Sequence, residues 1–142
     1  MKTPLHMILF KLVSAQKAVI RPRMTQLGLS PGQPKILSLL SIRGDCLQWE
    51  LARHCDIEPA TVSKLLSGME EAGFITRKPV PGDKRAVLVS LTDKGAEANR
   101  QMALYHAQAR ETAFQGFTPQ EEDALIDALC RMYRNLTGNQ ID

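Results

Sequence analysis

The chain lacks the features that mark several large classes of protein. No apolar run approaches the ~20 residues that a bilayer-crossing helix needs, so no membrane span is expected. Near the start, Lys2, His6 and Lys11 interrupt periodic apolar residues and no small-residue cleavage site follows, which argues against a signal peptide. Three cysteines, Cys46, Cys55 and Cys130, do not make a disulfide framework. A reducing cytoplasm is the compartment that fits. Internal repeats, low-complexity tracts and long linkers are also missing.

The chemistry of catalysis is equally sparse. There is no Gly-rich phosphate loop, no paired Cys-x-x-Cys and no His-x-x-x-His. His54-Cys55-Asp56 brings three catalytic residue types together, but neighbouring helix positions point ~100° apart and cannot form a relay. His6, His54 and His106 are scattered, so a zinc site would need residues from two chains. The expectation is a protein that is not an enzyme, with no cofactor and no metal.

What the chain does have is enough residues, 142, for one real core, and an ordinary hydrophobic share of 44%. Its net charge of +3 hides an asymmetry. Residues 1–53 carry eight Lys/Arg against two Asp/Glu, residues 54–94 carry six of each, and residues 95–142 carry four against seven. Overall basicity is therefore a weak argument for a nucleic-acid partner, and local placement has to carry it. The acidic C-terminal part is expected to face away from any such partner.

The informative stretch is Leu47 to Gly95. It reads as a short helix, Trp49 to Cys55, a tight turn, and a second helix, Pro59 to Ala72. A hairpin follows: Phe74 to Pro79, a tip from Val80 to Arg85, and Ala86 to Leu91. This order predicts a winged helix-turn-helix. In the second helix Val62, Leu65, Leu66 and Met69 share one face by the i, i+3, i+4, i+7 rule. The opposite face centres on Ala60, Lys64, Ser67 and Glu71, flanked by Thr61, Ser63 and Gly68. Its N-terminal part is small, polar and cationic, which suits a helix laid against base edges. Pro59 at the first position and the positive helix end suit phosphate. Around the Pro81-Gly82 turn lie Arg77, Lys78, Lys84 and Arg85, with Asp83 the one acid. A narrow basic finger fits a minor groove. Asp83, two residues before Arg85, is expected to orient that guanidinium. A winged helix used only for protein contacts would instead place apolar or acidic residues at 60, 63, 64 and 67.

At these landmarks the chain resembles the MarR family of bacterial transcription regulators. Gly28-Leu-Ser-Pro-Gly-Gln-Pro-Lys-Ile-Leu37 is similar to the segment that opens the family's second helix, and Glu50-Leu-Ala52 to its Glu-Leu-Ala. Thr61-Val-Ser63 and Met69-Glu-Glu-Ala-Gly-Phe-Ile-Thr-Arg77 are similar to its recognition helix and exit. Asp83-Lys-Arg85 and Val89-Ser-Leu-Thr-Asp-Lys-Gly95 are similar to its Asp-x-Arg wing and Leu-Thr-x-x-Gly exit. The resemblance covers nearly the whole chain. It implies a homodimer that binds a pseudo-palindromic operator, usually represses transcription, and often responds to a small ligand or oxidant. The family's peroxide sensors keep a reactive cysteine in the N-terminal helix, where this chain has none. Buried apolar thiols are thus the preferred reading of Cys46, Cys55 and Cys130, and a thiol- or metal-responsive regulator of the same fold is the alternative.

The flanking segments read as helices that build a dimer. Leu5, Ile8, Leu9, Leu12, Ala15, Val19 and Ile20 form a stripe ending near Arg21-Pro22. Ser30-Pro-Gly-Gln33 has capping-box form, with Pro at the first helical position, before Ile36, Leu37, Leu39 and Leu40, and Gly44-Asp45 closes that helix. Thr92 is an N-cap for a long helix over 93–115, and Thr118-Pro-Gln-Glu121 is a second capping box. Ala124, Leu125, Ala128, Leu129, Met132, Tyr133 and Leu136 then form another stripe.

The predicted fold is mainly α with a small β-hairpin wing. It divides into an N-terminal dimerisation helix and connection (1–30), a winged helix-turn-helix DNA-binding domain (31–95) and C-terminal dimerisation helices (96–142). Ala60, Thr61, Ser63, Lys64 and Ser67 are assigned to the major groove, following Pro59 at the helix start. Arg85, with Lys84 beside it and Asp83 holding the wing, is assigned to the minor groove, and Arg77 and Lys78 to phosphates at the wing's base. The expected partners are double-stranded DNA, a second copy of the chain and a small-molecule effector. Met7, Phe10, Ile36, Met102, Tyr105, His106 and Arg110 are candidate lining for an effector pocket, though each reads more simply as core or surface.

Overall fold

The computed structural model, which describes residues 2–141, has six helices and one small sheet. The order is α1 (Leu5–Gln26), α2 (Gln33–Arg43), β1 (Cys46–Leu47), α3 (Gln48–His54), α4 (Pro59–Glu71), β2 (Ile75–Val80), β3 (Asp83–Leu91), α5 (Asp93–Ala113) and α6 (Pro119–Thr137). The chain divides into two compact units, Met1–Ala107 and Gln108–Asp142.

In the first unit the core is built from the apolar faces of α2, α3, α4 and the sheet, with Ile20 and Met24 of α1 and Ala98 and Met102 of α5. Ile36, Leu37, Leu51, Val62, Leu66, Met69 and Val89 are fully buried. The helical periodicity of α4 therefore decides its orientation: Val62, Leu66 and Met69 point inward, Leu65 is half-buried, and Ala60, Thr61, Lys64 and Ser67 are exposed. The turn between α3 and α4 is tight. Asp56 takes a left-handed conformation with φ 52°, and the Ile57 N–H reaches back to the Ala52 carbonyl at 3.1 Å. Cys55 and Asp56 thus lie in this turn and not, as the sequence suggested for His54-Cys55-Asp56, on consecutive helix positions.

The sheet is antiparallel with order β1-β3-β2. The wing hairpin β2–β3 pairs Ile75 with Leu91 and Arg77 with Val89, and closes at Pro81-Gly82, where Gly82 has φ 84°. That places Asp83, Lys84 and Arg85 inside β3 instead of in the tip. The two-residue β1, which pairs Cys46 with Val89, has too little length to show any alternation and was not foreseen.

Two helix boundaries differ from the sequence reading. α1 runs through Pro22 to Gln26, because Ile20 and Met24 are buried on either side of the proline and their packing offsets the missing N–H. α2 begins at Gln33, with Pro31 and Gly32 in a turn and Pro34 in the helix's first turn. Half of the anticipated capping box exists: the Ser30 N–H donates to Gln33 Oε1 at 2.9 Å. The same buried amide donates from Nε2 to the Leu65 carbonyl at 3.4 Å and so ties α2 to α4. A side chain at Gly68 would crowd that nitrogen, at 3.2 Å.

The exit from α4 is locked by the start of α5. The Thr92 hydroxyl accepts the Gly95 N–H, as an N-cap should, and donates to the Gly73 carbonyl at 2.6 Å. The Thr92 N–H donates to the Phe74 carbonyl at 3.1 Å. Lys94 bonds the Ala72 carbonyl and lies 4.7 Å over the Phe74 ring. Gly95 is the enabling residue, since a Cβ there would sit 2.0 Å from the Phe74 carbonyl oxygen.

The second unit is held at its helix start by the Thr118–Glu121 capping box, with both bonds formed. Phe114 and Phe117 meet edge to face at 5.1 Å, and Arg110 pairs with Glu122. No described residue of α6 is buried.

Gly95→Ala should lower stability by at least about 2 kcal/mol, because backbone and not a flexible side chain stands in the way. Urea unfolding would read this; a loss below about 0.5 kcal/mol, the range of an ordinary surface change, would mean that the contact relaxes freely.

Candidate nucleic-acid interface

The candidate surface is built from two adjoining elements, α4 and the β2–β3 wing. α4 opens with Pro59, which has no N–H, and no side chain caps the helix; the first intrahelical bond runs from the Val62 N–H to the Glu58 carbonyl at 3.0 Å. Ala60, Thr61 and Lys64 are exposed and Ser63 is half-buried. Ser67 is exposed, but its hydroxyl is already engaged: it donates to the Ser63 carbonyl at 3.0 Å and accepts from Arg77 Nη2 at 3.1 Å.

Arg77 is held by α4 at both ends, its main chain and its guanidinium. Its backbone N–H donates to Glu70 Oε2 at 3.1 Å, and Nη2 donates to Glu70 Oε1 at 3.2 Å. These bonds hold the Glu70 carboxyl below the usual range, so it stays ionised at neutral pH. The guanidinium expected to face phosphate at the wing's base is therefore turned to its own recognition helix. Lys78, the next residue on β2, is exposed.

At the wing, Asp83, Lys84 and Arg85 are exposed. Asp83 does not orient the Arg85 guanidinium as the sequence suggested. Its Oδ1 accepts the Arg85 backbone N–H at 3.0 Å instead. The physical reason is reach: across two residues at a turn, a short carboxylate meets the main chain first. Among the described residues the Arg85 side chain has no hydrogen-bond or ion-pair partner, which leaves it available to an external anion.

Other candidate positions fall elsewhere. Ile36 and Met102 are core, whereas Met7 and Phe10 are exposed on α1. Cys46 is buried and Cys55 and Cys130 are half-buried, all three as thiols. Burial pushes the Cys46 and Cys55 thiols up, away from the reactive thiolate. Among the described residues no group of three His, Cys, Asp or Glu could hold a metal, and no helix is long and apolar enough to cross a membrane. The residues that sequence reasoning missed are Glu70, read only as part of a motif, and Gln33, read only as a cap. A carboxylate seven residues before an arginine carries no periodic signal across a helix-to-strand exit.

A family model described as the MarR family matches residues 29–87, the span from the approach to α2 through most of the wing. Over that span the chain is MarR-like. It is similar to the uncharacterized HTH-type transcriptional regulator YkoM of Bacillus subtilis (strain 168), with 33% identity over 99 residues, 70% of this chain and 64% of that one. The chain thus spans slightly under two thirds of YkoM. It is also similar to the HTH-type transcriptional repressor YetL of the same organism, with 27% identity over 135 residues, 94% of this chain and 81% of that one. Among solved structures, a MarR family regulator from Silicibacter pomeroyi aligns with a TM-score of 0.80 and 27% identity, covering 93% of this chain and 89% of that one. A MarR family regulator from Listeria monocytogenes, solved in complex with a 26mer DNA, aligns with a TM-score of 0.86 and 25% identity, covering 96% and 90%. The mainly helical winged-helix architecture is that of these MarR structures.

The wing turn yields a direct check. Asp83→Ala should raise hydrogen exchange at the Arg85 amide by roughly fivefold, the equivalent of one hydrogen bond of about 1 kcal/mol, while Asp83→Asn, which keeps an acceptor oxygen, should leave it near wild type. Equal exchange in all three proteins would show that the turn does not depend on this carboxylate.

Proposed function

We propose that this protein is a transcriptional repressor that binds a pseudo-palindromic operator as a homodimer and is released by a small ligand. The observation that carries the reading is the pairing of an uncapped, small and polar α4 face with a wing whose Arg85 side chain is unengaged. In this reading Ala60, Thr61, Ser63 and Lys64 enter the major groove, and the amides at the start of α4, next to Pro59, face phosphate. Arg85 and Lys84 reach the minor groove from a wing whose turn Asp83 holds, and Lys78 meets the backbone. The naming of YetL as a repressor and the DNA complex of the Listeria regulator support the direction of the reading.

The functional division into 1–30, 31–95 and 96–142 follows from the same proposal. Leu5, Ile8 and Leu12 are exposed on α1, and Leu125, Leu129 and Leu136 are exposed on α6. Each fully buried leucine contributes roughly 1.5–3 kcal/mol, so two such stripes favour association with a second copy of the chain. Cys46 and Cys55, with their thiols pushed up by burial, favour a ligand over an oxidant as the releasing signal.

The test is a mobility shift with the duplex upstream of the protein's own gene against a scrambled duplex, across a salt series. Selective, salt-sensitive binding by two chains per site is expected. Weak, equal binding to both duplexes, followed by a genome-wide selection that recovers no preferred sequence, would sink the proposal. Arg85→Ala should weaken operator binding strongly and leave the dimer folded; unchanged affinity removes Arg85 from the mechanism. Lys64→Ala should relax sequence preference by about 1–3 kcal/mol if it reads a base, whereas an equal loss on random DNA makes it a phosphate contact.

A further inference from the structure

We propose that Glu70, Arg77 and Ser67 form a brace that fixes the wing against the recognition helix, making Glu70 a positioning residue for DNA binding although it is acidic. The proposal rests on the DNA-binding reading above. β2 is one of the two outer strands of the sheet, so an N–H on its free side has no ladder partner. Glu70 supplies one: its two oxygens take the backbone N–H and the guanidinium of the same residue, Arg77, at 3.1 and 3.2 Å. Ser67, one turn earlier on α4, takes the same Nη2 at 3.1 Å. The contact therefore joins two successive turns of the helix to one strand residue, through side chain and main chain together. A pair that only neutralised charge would not need the main-chain bond.

The arrangement has a consequence for which residues read DNA. The cation of Arg77 is matched by Glu70 and its side chain is only 22% exposed, so it adds no counter-charge for a phosphate. The Ser67 proton is directed to Ser63, so this hydroxyl has no donor left for a base. Both residues move from the contact set to the scaffold, and direct reading of the major groove falls to Ala60, Thr61, Ser63 and Lys64. A helix and a wing that must enter two grooves at once gain from a fixed mutual angle, because a loose wing would lose that order on binding.

The sign of one substitution separates the two roles. Glu70→Gln removes a negative charge beside a polyanion and releases Arg77. If Arg77 is a phosphate contact, binding tightens. If the brace is what matters, binding weakens. Fluorescence anisotropy of the full-length protein should be measured on a duplex that the wild type binds selectively. Glu70→Gln should weaken binding by about fivefold or more, a partly exposed network of charge-assisted bonds being worth that much. Arg77→Gln should do the same without lowering the slope of log affinity against log salt, and the double variant should be no worse than either single one. Ser67→Ala, which leaves both charges in place, should give a smaller loss with the same slope. Thermal melts and sedimentation accompany each variant, and any that fails to fold passes the decision to Ser67→Ala and to the exchange rate of the wild-type Arg77 amide, which should be slow for an outer-strand position. Tighter or unchanged binding by Glu70→Gln, a slope lowered by about one in Arg77→Gln, or fast exchange at the Arg77 amide overturns the brace. A wild type that binds no duplex selectively overturns the DNA-binding reading itself, and this proposal with it.

Discussion

The architecture depends on one close approach of backbone to backbone, where the first turn of α5 meets the carbonyl of Phe74. Three things must happen there within a few residues: α4 has to end, the wing has to start, and the long helix α5 has to leave. The end of a helix leaves carbonyls without partners. Here the Thr92 hydroxyl, the Thr92 N–H and Lys94 take the carbonyls of Gly73, Phe74 and Ala72 in turn. Only glycine at position 95 lets the helix come near enough for this. α4 and the wing are thus anchored to the same short stretch of α5.

Further along, polar contacts set the orientation of α4 where apolar packing cannot. Val62, Leu66 and Met69 seat the helix on the core, but apolar contact is non-directional and leaves rotation and slide loosely specified. Gln33 constrains the inner side through the Leu65 carbonyl, in a space kept clear by Gly68. Glu70 and Ser67 constrain the outer side through Arg77. Hydrogen bonds are directional, so a few of them suffice to hold the angle at which the exposed face of α4 is presented.

The charges of α4 and the wing fall into two groups by what they touch. Lys64, Lys78, Lys84 and Arg85 lie on the exposed surface, whereas Arg77 is turned inward and matched. All five look alike as basic residues in a string. The distinction matters because a cation already bonded within the protein contributes little to binding a polyanion. Likewise Asp83 serves the backbone of the wing and leaves the guanidinium of Arg85 unoccupied.

Periodicity and capping residues by themselves determined most of the fold. The i, i+3, i+4 spacing in α4, the Thr118–Glu121 box, Thr92 as a cap and Pro81-Gly82 as the wing turn all act over fewer than five residues, so the local chain contains the cause and the effect. Two-residue β1, the continuation of α1 through Pro22 and the late start of α2 were decided by partners distant in the chain: Val89, the core that receives Met24, and the Leu65 carbonyl that Gln33 reaches. The candidate surface divides along the same line. Sequence alone marked which side of α4 faces outward and which hairpin is basic. Only the tertiary structure decided that Arg77 and Ser67 are bonded within the protein while the side chain of Arg85 is not, because a carboxylate on a helix and an arginine on a strand meet only once the chain has turned back between them.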